Sequence, residues 1–216
     1  MTTETTNKLQ MTEKNLLKNM KRLNKQRYND ALNRENILSY AYTDSVNTYT
    51  TDSHRALKIN TVVDNELVKE NTDHTERIER LMNEPYSYFE FTANRDDIKV
   101  MRNLVKYIAS VGGLLTINYK NEDDIKSVTL GMTKEPVYDL QVSMTLSNFD
   151  TKEMQTPDYS FKTTVNPKYF NDVLDFAWDN KEQGIRFMVD ENNMRPLHVK
   201  GLSDDFHYIV LPIRTY

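Results

Sequence analysis

The alternation of apolar and polar positions divides the chain into helical and strand-like stretches. Thr12 is a candidate N-cap for a helix running to about Arg27, with Leu16, Leu17, Met20 and Leu23 as a narrow apolar stripe. After a polar connection, Ile37 to Tyr42 and Val46 to Val63 read as paired strands rich in Thr, Tyr, Val and Ile. Asp64 to Glu84 reads as a polar connection with a short helix over Thr75 to Met82, and marks the expected domain boundary. Beyond Pro85 a strand is expected over Tyr86 to Thr92, with Tyr86, Tyr88 and Phe89 for burial. Asn94 then caps a helix over Arg95 to Ser110, whose Ile98, Met101, Val105 and Ile108 share a face beside Leu104. Gly112 and Gly113 stop it. Strands follow at Leu114 to Tyr119, Ser127 to Met132, Tyr138 to Leu146 and Phe161 to Val165, before a helix opened by Pro167. This helix turns Phe170, Val173, Leu174 and Ala177 inward and leaves Asn171, Asp172 and Asp175 at outer positions. Gly184 to Val189, Leu197 to Lys200 and Phe206 to Ile213 close the pattern as strands.

A strand–helix–three-strand unit therefore occurs twice within residues 86–216, and a similar unit opens the chain. Such repetition predicts an α+β fold of antiparallel sheets on one side and paired helices on the other. The expected division is a partial or shortened domain over 1–84 and a complete one over 85–216.

Length permits this: 216 residues can bury a sizeable core in one large or two small domains. With 28 basic and 32 acidic residues the net charge is −4, so the whole surface cannot coat nucleic acid, although a local basic patch can. Without cysteine there are no disulfides, thiolate metal sites or cysteine nucleophile, a composition suited to a reducing cytoplasm. The opening residues form no apolar leader, and the most apolar run, Tyr107 to Ile117, is too short to span a bilayer. The expectation is a soluble, cytoplasmic protein.

Charge is patterned along two helices. Lys14, Lys18, Lys21 and Lys25 recur at steps of four, three and four, with Arg22 beside them; Arg95, Lys99, Arg102 and Lys106 repeat the same steps. That spacing holds each row on one helical face, where neighbouring like charges repel. A polyanion relieves the repulsion, because each neutralised phosphate releases counterions. No aromatic residue interleaves with the rows, which are spaced to track a backbone, so the expected contact is with phosphates, without base reading. The acidic helix after Pro167 is expected to face DNA poorly.

Other chemistry is absent from the pattern. His54, His74, His198 and His207 are scattered without ligand spacing, and Asp123-Asp124 and Asp204-Asp205 sit in turn-like stretches. Gly112-Gly113 lacks the residues of a phosphate loop, and no nucleophile–base arrangement is evident. The reading is non-enzymatic, with no metal and no cofactor.

Three motifs remain: Thr51-Asp52-Ser53-His54-Arg55-Ala56-Leu57, the run from Phe161 through Asn166-Pro167-Lys168-Tyr169 to Phe170, and Tyr208-Ile209-Val210-Leu211-Pro212-Ile213-Arg214. In this order they resemble the bacterial DNA sliding clamp, the β subunit of the replicative polymerase. That family carries Thr-Asp-Gly-His-Arg-Leu-Ala in its middle domain, Phe-Asn-x-x-Tyr at its last helix and Met-Pro-x-Arg at its end. The likeness is best over residues 86–216, which resemble the last domain, and weaker over 1–65, which resemble the front half of the middle one. Ser53 stands for the usual Gly, Ala56-Leu57 reverses the usual order, and Leu211 replaces Met. The family protein has three domains and is longer; two-domain subunits of phage and eukaryotic-type clamps close as trimers.

The resemblance implies a homo-oligomeric ring, associated head to tail, whose inner helices slide on duplex DNA. It also implies that Thr51, His54, Arg55 and Leu57 meet Ile209, Val210, Leu211 and Pro212 in a cleft for peptides of DNA polymerase and clamp loader. The expected function is a sliding-clamp-like processivity factor. The alternatives are a clamp-derived adaptor or decoy that binds such peptides without encircling DNA, and a non-specific DNA-binding accessory protein.

Overall fold

The computed structural model describes residues 13–19, 40–83, 88–122, 125–133, 143–146, 159–190 and 192–214. The front of the chain is a helix followed by a three-stranded run: α1 (13–19), β1 (Ala41–Thr43), β2 (Thr48–Thr51) and β3 (Arg55–Ile59). β4 (Val68–Glu70) and α2 (Thr72–Asn83) come next. Then β5 (Tyr88–Asn94), α3 (Arg95–Ser110), β6 (Leu114–Glu122), β7 (Ile125–Thr133) and β8 (Ser143–Leu146) form one strand–helix–three-strand unit. β9 (Tyr159–Val165), α4 (Pro167–Asp179), β10 (Gly184–Asp190), β11 (Leu197–Gly201) and β12 (Phe206–Val210) form the second, as the repeat predicts.

The two units exchange their first strands. β9 joins β6 in a sheet ordered β8-β7-β6-β9, while β5 joins β10 in a larger sheet ordered β4-β1-β2-β3-β12-β11-β10-β5. Pairing is antiparallel throughout except for β1 with β4. β3 pairs directly with β12, in the register Tyr208↔Leu57, Ile209↔Ala56 and Val210↔Arg55, so the front of the chain and its last unit share one continuous sheet.

Local signals account for the helices. Asn94 builds a capping box on α3: its side chain accepts from the backbone N–H of Asp96 and Asp97, and Asp97 accepts from the Asn94 N–H. At the other end Gly112 takes a left-handed φ of 72°, and the Gly113 N–H returns to the Ile108 carbonyl. Asn166 caps α4, with Pro167 in the first turn where no N–H is missed.

Alternation along the strands sends Leu57, Ile59, Val199, Tyr208 and Val210 to the helix side of the larger sheet. There they join Ile98, Met101 and Val105 of α3 and Phe170, Val173 and Leu174 of α4 in the main core. Phe187 lies against Phe91 at 4.7 Å and Phe170 at 5.7 Å between ring centroids, tying sheet to helix. Leu16 brings α1 into the same core.

Several expectations change. Val46 to Val63 is a hairpin, broken at Asp52 to His54, rather than continuous strand. The last strand ends at Val210 and not Ile213, because Pro212 has no N–H for the ladder. The helix expected over Thr75 to Met82 is present as the longer α2, while the stretch before it, read as connection, also holds the strand β4. Helices are not confined to one side either: Ile78 and Met82 of α2 pack on Tyr49, Ala56 and Ile209, on the sheet face turned away from the main core. The expected helix residues 20–27 and strand residues 37–39 and 138–142 lie outside the described residues, as do the side chains of Tyr86, Tyr88 and Phe89. No helix among the described residues is long and apolar enough to cross a membrane.

Candidate functional site

The His54 segment is the β2–β3 turn, and its own side chains build it. Asp52 Oδ1 accepts from the backbone N–H of His54 at 2.9 Å and of Arg55 at 3.0 Å, an Asx turn. Thr51 Oγ1 donates to the Arg55 carbonyl at 2.7 Å and accepts from the Ser53 N–H at 3.2 Å. Ser53 sits at φ 69°, the left-handed region that glycine occupies without cost and where the resembling motif carries Gly.

β3–β12 pairing brings this turn to the C-terminal motif. The Leu211 N–H donates to the His54 carbonyl at 2.9 Å, and Pro212 bridges to Val165 of β9. His54 is exposed and stacks on Tyr169 of α4, with centroids 5.8 Å apart. Leu211 is also exposed, and Thr51 and Pro212 are half-buried. The other four expected cleft residues are not surface. Leu57 and Val210 are fully buried in the main core, and Ile209 is buried beneath α2. Arg55 is buried as well: Nε bonds Asp52 at 3.1 Å, Nη1 pairs with Asp172 of α4, and the guanidinium lies 4.5 Å from the Tyr169 ring. Alternation sends Leu57 and Val210 into the main core and Ile209 under α2, so a sheet covered on both faces leaves none of them at the surface. Arg55 is therefore a strut between β3 and α4.

The basic rows meet acids. On α1, Lys14 and Lys18 are exposed and Lys18 pairs with Asp179; Lys21, Arg22 and Lys25 lie outside the described residues. On α3, Arg102 bonds Asp175 through Nε at 2.7 Å and Nη2 at 2.6 Å, and Lys106 lies 3.8 Å from the same carboxylate. Arg95 donates to the Glu182 carbonyl at 2.9 Å. Trp178 receives both guanidinium groups, Arg95 at 4.1 Å and Arg102 at 5.1 Å. Lys99 is exposed and makes no ion pair among the described residues. Asp175, expected at an outer position, is buried between the helices. Asp172, Asp175 and Asp179 lie on one face of α4 and pair with bases from β3, α3 and α1. The role of Trp178 escapes a search along single helices, because its partners come from another helix.

The outward sheet face carries a second feature invisible in the spacing. Lys58, His207, Lys200 and Arg186 oppose one another on four neighbouring strands. A cavity of about 380 Å³ opens beside them, with Asn83 and Glu90 also in its wall. His198 Nδ1 and His207 Nε2 lie 2.9 Å apart. Burial first, and then nearby Lys200, lowers His198 to about 4; burial, His198 and the lysines lower His207 to about 2. Both rings are neutral at pH 7.

No family model and no curated protein matches the chain by sequence. By structure it is similar to the DNA polymerase III subunit beta from Pseudomonas aeruginosa, with TM-score 0.54 and 12% identity, over 78% of this chain and 55% of that one. It is likewise similar to the C. crescentus beta sliding clamp, with TM-score 0.54 and 12% identity, over 78% and 53%. The beta subunit of DNA polymerase from Streptococcus pyogenes gives 0.54 and 13%, over 81% and 57%. The fold is that of a sliding clamp. In clamp terms the chain spans little more than half the length of these structures.

Proposed function

We propose that this chain is a clamp-like processivity factor: non-enzymatic, assembled head to tail into a ring around duplex DNA, and holding replication proteins by peptide segments. The observation that supports this reading is the β3–β12 pairing, which sets the His54 turn beside Leu211 and Pro212. His54, Leu211, Thr51 and Pro212 form the accessible rim of the groove, and Arg55, Leu57, Ile209 and Val210 support it from below. Apolar walls with a rigid proline and a few polar groups suit an extended peptide. DNA meets the helix side, where Lys14, Lys18, Lys99 and Lys106 reach solvent. The grip is weak, salt-sensitive and sequence-independent. The gain to a bound polymerase is effective concentration at the template.

A second reading, an adaptor that binds peptides without encircling DNA, is favoured by one observation: Asp175 and Asp179 already pair with Arg102, Lys106 and Lys18. Native mass at micromolar concentration separates the two, a closed oligomer for the clamp and a monomer for the adaptor. Reversing Lys99 and Lys106 to Glu is expected to weaken duplex binding at low salt about tenfold or more. Unchanged duplex affinity together with a monomeric mass replaces the clamp by the adaptor.

A further inference from the structure

Two charges on the outward face of the larger sheet find no answer among the described residues. Glu90 of β5 is 8% exposed, and its carboxylate makes no hydrogen bond or ion pair there. Lys200 of β11 makes none either. A carboxylate taken out of water without a partner costs free energy that a cation offsets. Both residues line the cavity of about 380 Å³ on this face.

Strand register explains why they do not answer each other. Lys200 opposes Arg186 on β10, Met188 follows Arg186 by two residues, and Met188 opposes Glu90. All four side chains therefore share one face. Lys200 and Glu90 nevertheless stand two strands and two residues apart, about 12 Å between their Cα atoms. The other charged residues of the wall are matched, Lys58 by Glu79 at 2.8 Å and Arg186 by Asp204. One positive and one negative group thus remain, set well apart.

Two amides complete the wall. Asn60 donates through Nδ2 to the Asp204 carbonyl at 2.5 Å, and Asn83 through Nδ2 to Glu79 at 2.7 Å. Each keeps its Oδ1 as an acceptor. An occupant that meets all four groups carries a cation at one end, an anion at the other and N–H donors between them. A simple anion meets Lys200 and sets its charge against Glu90.

We propose that this cavity binds a short peptide by its free termini, with the ammonium on Glu90, the carboxylate on Lys200 and peptide N–H groups on Asn60 and Asn83. At about 3.4 Å per residue an extended tripeptide spans about 10 Å, the scale of the Lys200–Glu90 separation. A single amino acid, whose two charges share one carbon, is too short. The cavity lies within the range of small-ligand sites, about 300–1,000 Å³.

The probe is trialanine with free termini, titrated calorimetrically into the full chain beside its N-acetylated and C-amidated forms. A Kd of about 1 mM or tighter is expected, weakened about tenfold or more in each blocked form. Glu90→Gln, which keeps the shape, and Lys200→Met are each expected to weaken trialanine by the same factor. Paired changes assign the ends. Acetylation should cost nothing further in the Glu90→Gln chain, and amidation nothing further in the Lys200→Met chain. Absence of trialanine binding, equal binding of the blocked forms, or additive losses overturns the proposal. Inorganic phosphate binding as tightly as the tripeptide also overturns it, in favour of a plain anion site. The blocked peptides need only the wild-type chain, so they decide the matter even where a variant does not fold.

Discussion

On the helix side of the eight-stranded sheet, four basic residues are matched by acids of a single helix. Arg55, Arg102 with Lys106, and Lys18 each reach a carboxylate on one face of α4: Asp172, Asp175 and Asp179. The opposite side carries Lys58, His207, Lys200 and Arg186 in a single cross-strand row, and only its two ends meet acids, Glu79 and Asp204. Lys200 makes no ion pair among the described residues. Like charges directly opposed across strands destabilise a sheet, and here a neutral His207 separates Lys58 from Lys200. One face therefore gains its order from matched charges; on the other an uncharged histidine keeps Lys58 from Lys200, and Asp204 answers Arg186 where it opposes Lys200. The second face depends on pH, through its two histidines.

The sharpest way to break this contrast is Arg55→Ala. The Arg55 side chain is 4% exposed, and truncation takes from Asp52 and Asp172 the guanidinium that both bond. The expected loss is about 3–5 kcal/mol, measured by denaturant unfolding; a loss below about 1 kcal/mol means that pairing does not order the helix side.

Acidification tests the other face. In the unfolded chain His198 and His207 titrate near 6.5, while in the folded chain they stay neutral down to about 4 and about 2. Below 6.5 the unfolded state thus binds more protons, so stability is complete above that pH and declines as pH falls from 6.5 toward 4. The expected loss by pH 4.5 is about 2–4 kcal/mol. A chain with His198→Asn and His207→Asn should lose this slope, and a wild-type stability flat across the window would show that the row is not relieved by neutral histidines.

Ser53→Gly has the smallest expected effect. It relieves the left-handed backbone at the turn that carries Asp52 and Arg55, and should stabilise by about 0.5–1 kcal/mol in the same unfolding assay. No gain would place the strain of the helix-side network elsewhere than in this turn.

Within the candidate site, legibility followed the range of the interaction. Asp52 and Thr51 mark a turn because their partners are two to four residues away. The capping box of Asn94 and the Pro167 start of α4 are local in the same way. The motif order also brings the His54 turn and the Leu211 tail into one region. It could not separate rim from core, because burial of Leu57, Ile209 and Val210 depends on what lies above and below the sheet.

By itself, then, the amino-acid order determined the two strand–helix–three-strand units, their caps and the apolar face of each helix, all set by contacts a few residues apart. Only the tertiary structure decided that the acids of α4 close onto the basic rows, that His198 meets His207, and that α2 crosses to the outward face. Those outcomes depend on which distant strands become neighbours, and no spacing along a single chain segment encodes the partner of a charge or the cover of a sheet.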